Sequence, residues 1–202
     1  MSAGRDVILQ SIARGRGAAK PAPDYALPVW TADSLAHFIA KAKASVAEIH
    51  EIAGQQDAPE TILSVLAAAG LRSHLHIEPH SPLNALPWHR APGLTLSADA
   101  PGGSDNAFSA ADYGIAETGT LVFVSGAKSA SSWHFRPGRD FVLLSRSHIL
   151  PRFEDVIAVL PNDGRMPATV NLVTGPSRTA DIEQTIELGA HGPRALHILI
   201  AG

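Results

Sequence analysis

The sequence predicts an α/β protein, a three-layer α/β/α sandwich built on a mostly parallel sheet. Three observations carry this. Short apolar runs at Leu121–Val124, Phe141–Leu144, Val156–Leu160, Val170–Val173 and Leu196–Ile200 are near-continuous rather than alternating, as expected of strands covered on both faces. Helical periodicity precedes them over residues 34–53 and 59–69. A further helix, expected over Thr179–Leu188 between the last two runs, completes a β-α-β unit.

In chain order, Val7, Ile8 and Ile12 fall at helical spacing, which predicts a short amphipathic helix over 4–14. Gly15, Gly17, Pro21, Pro23 and Pro28 then read as a flexible arm. The domain division follows: helix and arm over 1–28, one α/β domain over 29–202. Asp33 or Ser34 caps the next helix, whose apolar side is Leu35, Phe38, Ile39, Val46 and Ile49, with Gly54 at its exit. Pro59 opens the following helix and Gly70 closes it. Leu75 and Ile77 alternate with His74 and His76, a strand ending near Pro79, and Leu94–Ser97 is another short strand.

With 202 residues, the chain is long enough for one well-buried domain and short for two. Charged residues are 17%, below the average of about 25%. The net charge of −3 exerts no general pull toward nucleic acid or anionic membrane. There is no cysteine. That excludes a disulfide, a thiolate-ligated iron–sulfur cluster, a cysteine zinc site and a cysteine nucleophile. No cofactor held covalently or by cysteine is expected, so electron transfer would need a bound small molecule or a partner subunit. No apolar run reaches signal-peptide length or the roughly 20 residues of a membrane span, and a cytoplasmic location is expected.

Two segments stand out as candidate sites. The first is Ala111-Asp112-Tyr113-Gly114-Ile115-Ala116-Glu117-Thr118-Gly119-Thr120, running into a strand. Gly114 and Gly119 permit tight backbone or close ligand approach. Glu117 sits beside the hydroxyls of Thr118 and Thr120, where a carboxylate serves as base, nucleophile or ligand acceptor; a turn whose Glu accepts backbone hydrogen bonds reads equally well. The second is Gly175-Pro176-Ser177-Arg178-Thr179-Ala180-Asp181-Ile182-Glu183, read as a strand-to-helix turn. Free amides there bind anions, Arg178 adds a bidentate contact, and Ser177 and Thr179 hold the ligand or cap the helix. Against this, Asp181 and Glu183 compete for the helix end, itself worth only about 0.3–1 kcal/mol to an exposed anion.

Three weaker signals remain. His191, between Gly189 and Gly192-Pro193, can exchange a proton near neutral pH or simply occupy a turn. The polar loop Lys128–His134 follows the strand that begins at Thr120. The ten histidines are dispersed, and His74, His76 and His80 lack a carboxylate at matching spacing, so no metal site is expected. Phosphate-binding, dinucleotide-binding and hydrolase-elbow motifs are missing as well.

Taken in this order, the Ala111–Thr120 and Gly175–Glu183 segments, followed by His191-Gly192-Pro193 and a closing apolar strand, resemble the LUD-domain family of lactate-utilisation proteins, C type. Arg5, Ile8 and Leu9 are similar to the family's opening helix, whereas 129–152, with Arg136-Pro137-Gly138-Arg139, departs from its pattern. The resemblance implies a fold like that of phosphosugar isomerases and CoA transferases. It also implies a cytoplasmic role beside two iron–sulfur subunits in oxidising L-lactate to pyruvate. On this reading Gly114, Glu117, Thr118, Gly119, Thr120, Gly175, Ser177, Arg178, Thr179 and His191 surround a small anionic metabolite. The alternatives are a free-standing isomerase or acyl/CoA transferase using Glu117, and a scaffold whose N-terminal helix recruits partners.

Overall fold

The structure, a computed structural model, describes residues 3–15, 26–27, 29–125, 132–160, 167–180, 186–188 and 192–202. The chain divides into two compact units, Met1–Thr31 and Ala32–Gly202. The first contains α1 (Ala3–Gly15), with Asp6 in its first turn and Arg14 in its last, charges that complement the helix dipole. Residues 16–25 and 28 of the expected arm lie outside the described residues.

The second unit opens with α2 (Ser34–Ala44). Asp33 caps it, its carboxylate accepting from the backbone N–H groups of Leu35 and Ala36 at 2.9 and 3.3 Å. The helix stops nine residues before the expected Ala53. Val46 takes φ +66°, and the Val46 and Ala47 N–H groups close onto the Lys43 and Ala42 carbonyls, the hydrogen-bond pattern that terminates helices with a left-handed residue. Glu48–Ile52 then becomes β1, paired in parallel with the last strand. Tertiary pairing decides here, because isolated periodicity cannot tell an extra helical turn from an edge strand. The helix α3 (Ala58–Ala68) follows expectation: Pro59 lies in its first turn and Gly70, at φ +64°, closes the same terminating motif.

The strands β2 (His74–Ile77), β3 (Thr95–Ser97), β4 (Asn106–Ala110), β5 (Tyr113–Ile115) and β6 (Thr120–Val124) come next. After them are a short helix α4 (Ser132–Phe135), β7 (Arg139–Ser145), β8 (Ile149–Leu150) and α5 (Phe153–Val159). The chain ends with β9 (Val170–Val173), β10 (Arg178–Ala180), β11 (Ile186–Leu188) and β12 (Ala195–Ala201). Two further elements correct the sequence reading. Of residues 156–160, expected as a strand, 156–159 belong to α5 and Leu160 caps it. The Asp155 carboxylate accepts from the Arg152 backbone N–H at 3.0 Å, and acids in the first turn favour a helix. The helix expected over Thr179–Leu188 is replaced, in its described parts, by the antiparallel pair β10–β11, in keeping with the β-branched Thr179 and Ile186.

Six strands form an all-parallel sheet in the order β1-β12-β7-β4-β2-β3, and four form a second sheet, β8-β5-β6-β9. The architecture is therefore α/β with a mostly parallel sheet flanked by helices, as the apolar runs predicted. One face of the main sheet (Leu75, Ile77, Phe108, Phe141, Leu143, Leu199) packs against Ile62 and Leu66 of α3. On the other face, Phe38 of α2 and Leu144 of β7 close on Gly114 of β5. Each fully buried Leu, Ile or Phe contributes about 1.5–3 kcal/mol. Among the described residues no helix is long and apolar enough to cross a membrane.

Val46 is half-exposed, so its side chain gains little from burial while its backbone is strained. Val46→Gly is expected to stabilise the protein by roughly 0.5–1 kcal/mol. A urea midpoint that does not rise would show that the turn carries no strain.

Candidate functional site

Both segments singled out in the sequence meet at the carboxyl end of α2. Gly119 has φ +69°, and a Cβ there would lie 2.3 Å from the Ala42 nitrogen. Gly175 has φ +78°, and its Cβ would lie 2.2 Å from the Ser45 carbonyl oxygen. A chain of hydroxyls joins the two turns: Thr118 Oγ1 to Thr120 Oγ1 at 2.7 Å, then Thr120 Oγ1 to Thr174 Oγ1 at 2.6 Å. Gly114 is buried where a Cβ would strike Leu144 and Phe38. Ser177 is tied to the closing turn, its N–H donating to the Pro193 carbonyl at 2.8 Å.

The reactive groups of these segments take different positions. Glu117 is exposed, and its backbone N–H donates to the Pro151 carbonyl at 3.0 Å. Arg178 is exposed at the first position of β10, opposite Leu188, with Thr179 next to it in the strand. The helix N-terminus expected to bring amides to this stretch is absent, since residues 178–180 are extended. His191, Lys128–Ser131 and Asp181–Thr185 lie outside the described residues.

The sheet itself has a natural binding position. The chain leaves β2 outward to β3 but leaves β4 inward to β7 and β12, so the carboxyl ends of β2 and β4 flank a topological switch point, where open α/β sheets bind ligands. A cavity of about 170 Å³ sits there, between Glu78 after β2, Phe108–Ala110 of β4, Asp112, and Trp133 and His134 of α4. His134 is buried and stacked on Phe123, ring centroids 3.9 Å apart. Burial pushes its pKa down to about 4, so at neutral pH it is uncharged, and its Nδ1 has no hydrogen-bond partner among the described residues. Asp112 accepts from the Val124 N–H at 2.7 Å, yet burial of its carboxyl still raises its pKa. Ser109 lines the cavity and reaches inward to Asp140, 3.2 Å from each carboxyl oxygen. Asp140 is fully buried, and desolvation holds its pKa well above the ordinary carboxylate range, outweighing the Ser109 hydrogen bond.

No arginine or lysine among the described residues lines this cavity, whereas two carboxylates do. Like charges 4 Å apart cost roughly 1 kcal/mol in water and 4 kcal/mol at an effective dielectric of about 20. An anion is disfavoured here, and a neutral donor-rich group is better matched to Ser109, Asp112 and the His134 nitrogen.

A second, more open cavity of about 730 Å³ lies at the opposite, amino-terminal edge, lined by Arg72, His74, His76, Ser104, Asp105 and Asn106. The Asn106 amide donates to the Arg72 and His74 carbonyls at 3.2 and 3.1 Å, fixing the segment that enters β2. His76 Nδ1 lies 2.8 Å from the Asp99 carbonyl, which can only accept, so Nδ1 carries the proton. Its Nε2 faces the Asp105 carboxylate at 3.7 Å. Neither Glu117 nor Arg178 lines either cavity. Sequence spacing gave no sign of Ser109–Asp140 or Arg72, because strand pairing brings together groups far apart in the chain.

Residues 99–201 match the family model described as LUD domain. The chain is 36% identical over 95 residues to lactate utilization protein C of Halalkalibacterium halodurans, covering 45% of this chain and 41% of that protein. It is 37% identical over 95 residues to the uncharacterized protein YkgG of Escherichia coli, with the same shares of each chain. A protein of Neisseria meningitidis, NMB1437, is 41% identical over 97 residues, 47% of this chain and 41% of that protein. These matches thus span about two fifths of the relatives' length. The crystal structure of a DUF162 family protein from Deinococcus radiodurans superposes with TM-score 0.63 at 17% identity, covering 87% of this chain and 100% of that one, which shows the fold.

Gly119→Ala and Gly175→Ala are each expected to cost about 2–4 kcal/mol, against about 0.5 or less for Gly103→Ala, where a Cβ meets open space. Equal urea midpoints for the three variants would show that the turns do not need the close approach. Asp140 gives a pH test. Its folded pKa lies above the unfolded value, so the native state binds the extra proton and stability falls as pH rises from about 4. Relative to Asp140→Asn, the protein should therefore lose stability between pH 5 and pH 8; parallel unfolding curves across that range would exclude a raised pKa.

Proposed function

This chain belongs to the LUD-domain family, and from that membership we propose that it serves lactate utilisation as a component without an iron–sulfur cluster, working beside subunits that carry them. The observations that carry the reading are the LUD-domain match over residues 99–201, which build β4 to β12, and the similarity to relatives named lactate utilization protein C. The sequence adds a chemical constraint. These 202 residues contain no cysteine, so they hold no thiolate-ligated cluster themselves. Electrons leaving L-lactate on its way to pyruvate then pass to a partner or to a bound organic molecule.

The ligand of this component is, in our reading, a small anionic metabolite, and the amino-terminal cavity suits it better than the carboxyl-terminal one. Arg72 makes no ion pair with another described residue and stands beside His74 and His76 on the cavity wall. A guanidinium offers two parallel donors to a carboxylate or phosphate. Glu117, exposed on its turn, supports the alternative of a free-standing isomerase or acyl/CoA transferase only through its accessibility.

Titration calorimetry with L-lactate, pyruvate and inorganic phosphate, on the chain alone and mixed with iron–sulfur partner subunits, tests the proposal. Saturable binding weakened about 10–100-fold by Arg72→Gln is expected, the loss of one charge-assisted hydrogen bond. Weakening by Arg178→Gln instead would move the anion to the β10 turn. Activity of the isolated chain, abolished by Glu117→Gln with folding intact, would favour the free-standing enzyme. No binding in either mixture rejects the ligand, and failure to co-purify with cluster-bearing subunits rejects the partnership.

A further inference from the structure

At the edge of the main sheet, remote in sequence from every motif, the pairing of β1 with β12 gathers Glu48, His50 and His197. Glu48 stands directly opposite His197 in the parallel register, and His50 is two residues on, so all three side chains share one face. His50 Nε2 and His197 Nδ1 are 3.2 Å apart, and His197 Nδ1 and Glu48 Oε2 are 3.4 Å apart. All three ligating atoms lie within 4.8 Å of one another.

The two separations from His197 Nδ1 match a coordination polyhedron. Ligands about 2.0–2.1 Å from a tetrahedral zinc ion are roughly 3.3–3.4 Å from each other. His197 is buried and held flat by Phe141, ring centroids 4.6 Å apart, so one donor is preorganised. Glu48 is exposed and His50 half-buried, which gives an ion a path in and leaves a fourth position facing water. We propose that Glu48, His50 and His197 form a binding site for a divalent first-row transition metal ion of the Zn²⁺, Co²⁺ or Ni²⁺ class. Two imidazoles and one carboxylate are a borderline donor set that suits these ions over Mg²⁺ or Ca²⁺. Burial lowers the pKa of both histidines, that of His197 to about 4, so neither ring is charged at neutral pH and each keeps a lone pair on one nitrogen.

Arg139 opposes the ion and sharpens the test. Its Nε lies 3.2 Å from His197 Nε2 and its Nη1 lies 3.3 Å from Asn106 Oδ1. A guanidinium only donates, so in this arrangement Nε2 accepts and the His197 proton sits on Nδ1, toward His50 and Glu48. A metal ion at Nδ1 displaces that proton. Nε2 must then carry its own, facing the Arg139 N–H, and Arg139 has to turn aside while keeping Asn106. Ligating histidines elsewhere donate their second nitrogen to an acceptor; replacing Arg139 by Gln supplies one.

The full chain, freed of metal with a chelator, is titrated with Co²⁺ and with Zn²⁺, following visible d–d absorption and calorimetry. One ion per chain is expected. His50→Ala and Glu48→Gln, at accessible positions that leave the fold intact by circular dichroism, should weaken binding on the order of 10–100-fold. Arg139→Gln should tighten it, and His74→Ala and His80→Ala should leave it unchanged. Lack of saturable binding overturns the site, as does binding lost in His74→Ala but retained in His50→Ala.

Discussion

The contact between two glycine turns and the carboxyl end of α2 fixes how the two sheets of this protein sit together. Gly119 meets the backbone at Lys41 and Ala42, and Gly175 meets it at Ser45. No side chain fits in either gap, and both residues hold positive φ, a conformation that only glycine adopts without steric cost. The hydroxyl chain Thr118–Thr120–Thr174 then satisfies the polar groups that this approach encloses. From that anchorage the second sheet lays β5 against β7, and Gly114 admits Phe38 and Leu144. The main sheet is thus covered on its second face, as a parallel sheet must be.

With both faces covered, any polar group inside the sheet has to find a partner in place. Several do so on the described strands. Asp140 is met by Ser109, His197 by Arg139 and His50, and Asn106 by two backbone carbonyls and Arg139. Their positions divide the chemistry of the sheet between its two ends. Near the carboxyl ends of β2 and β4 the cavity functionality is acidic and hydroxylic; near the amino ends it is mixed, with Arg72 and two histidines beside the Asp105 carboxylate. The same fold therefore presents two different cavity environments, one at each end of the sheet.

The family resemblance and the glycine-rich segments were legible in sequence because they are local: turns with positive φ leave glycines at fixed positions. Their meaning was only half legible. The stretch from Ala111 to Thr120 and the stretch from Gly175 do meet, but what meets is backbone, while Glu117 and Arg178 are carried outward on the surface. The charged residue in a motif drew attention, whereas the glycines beside it carry the packing. The cluster of Glu48, His50 and His197 was invisible for a simpler reason. His50 and His197 are 147 residues apart, and β1 itself was read as the last turns of a helix.

By itself the sequence determined the α/β class, the strands at β2, β3, β6, β7, β9 and β12, the cap at Asp33, the first-turn Pro59 and the closing Gly70 of α3, and the exclusion of thiolate chemistry. These rest on local periodicity, turn chemistry and composition, which need no knowledge of neighbours. Tertiary structure alone decided that residues 48–52 extend the main sheet, that residues 153–159 coil while 178–180 extend, and which polar groups share a face. Short apolar segments are compatible with either conformation, and the choice goes to whichever buries them against a partner strand or helix, a partner that lies far along the chain.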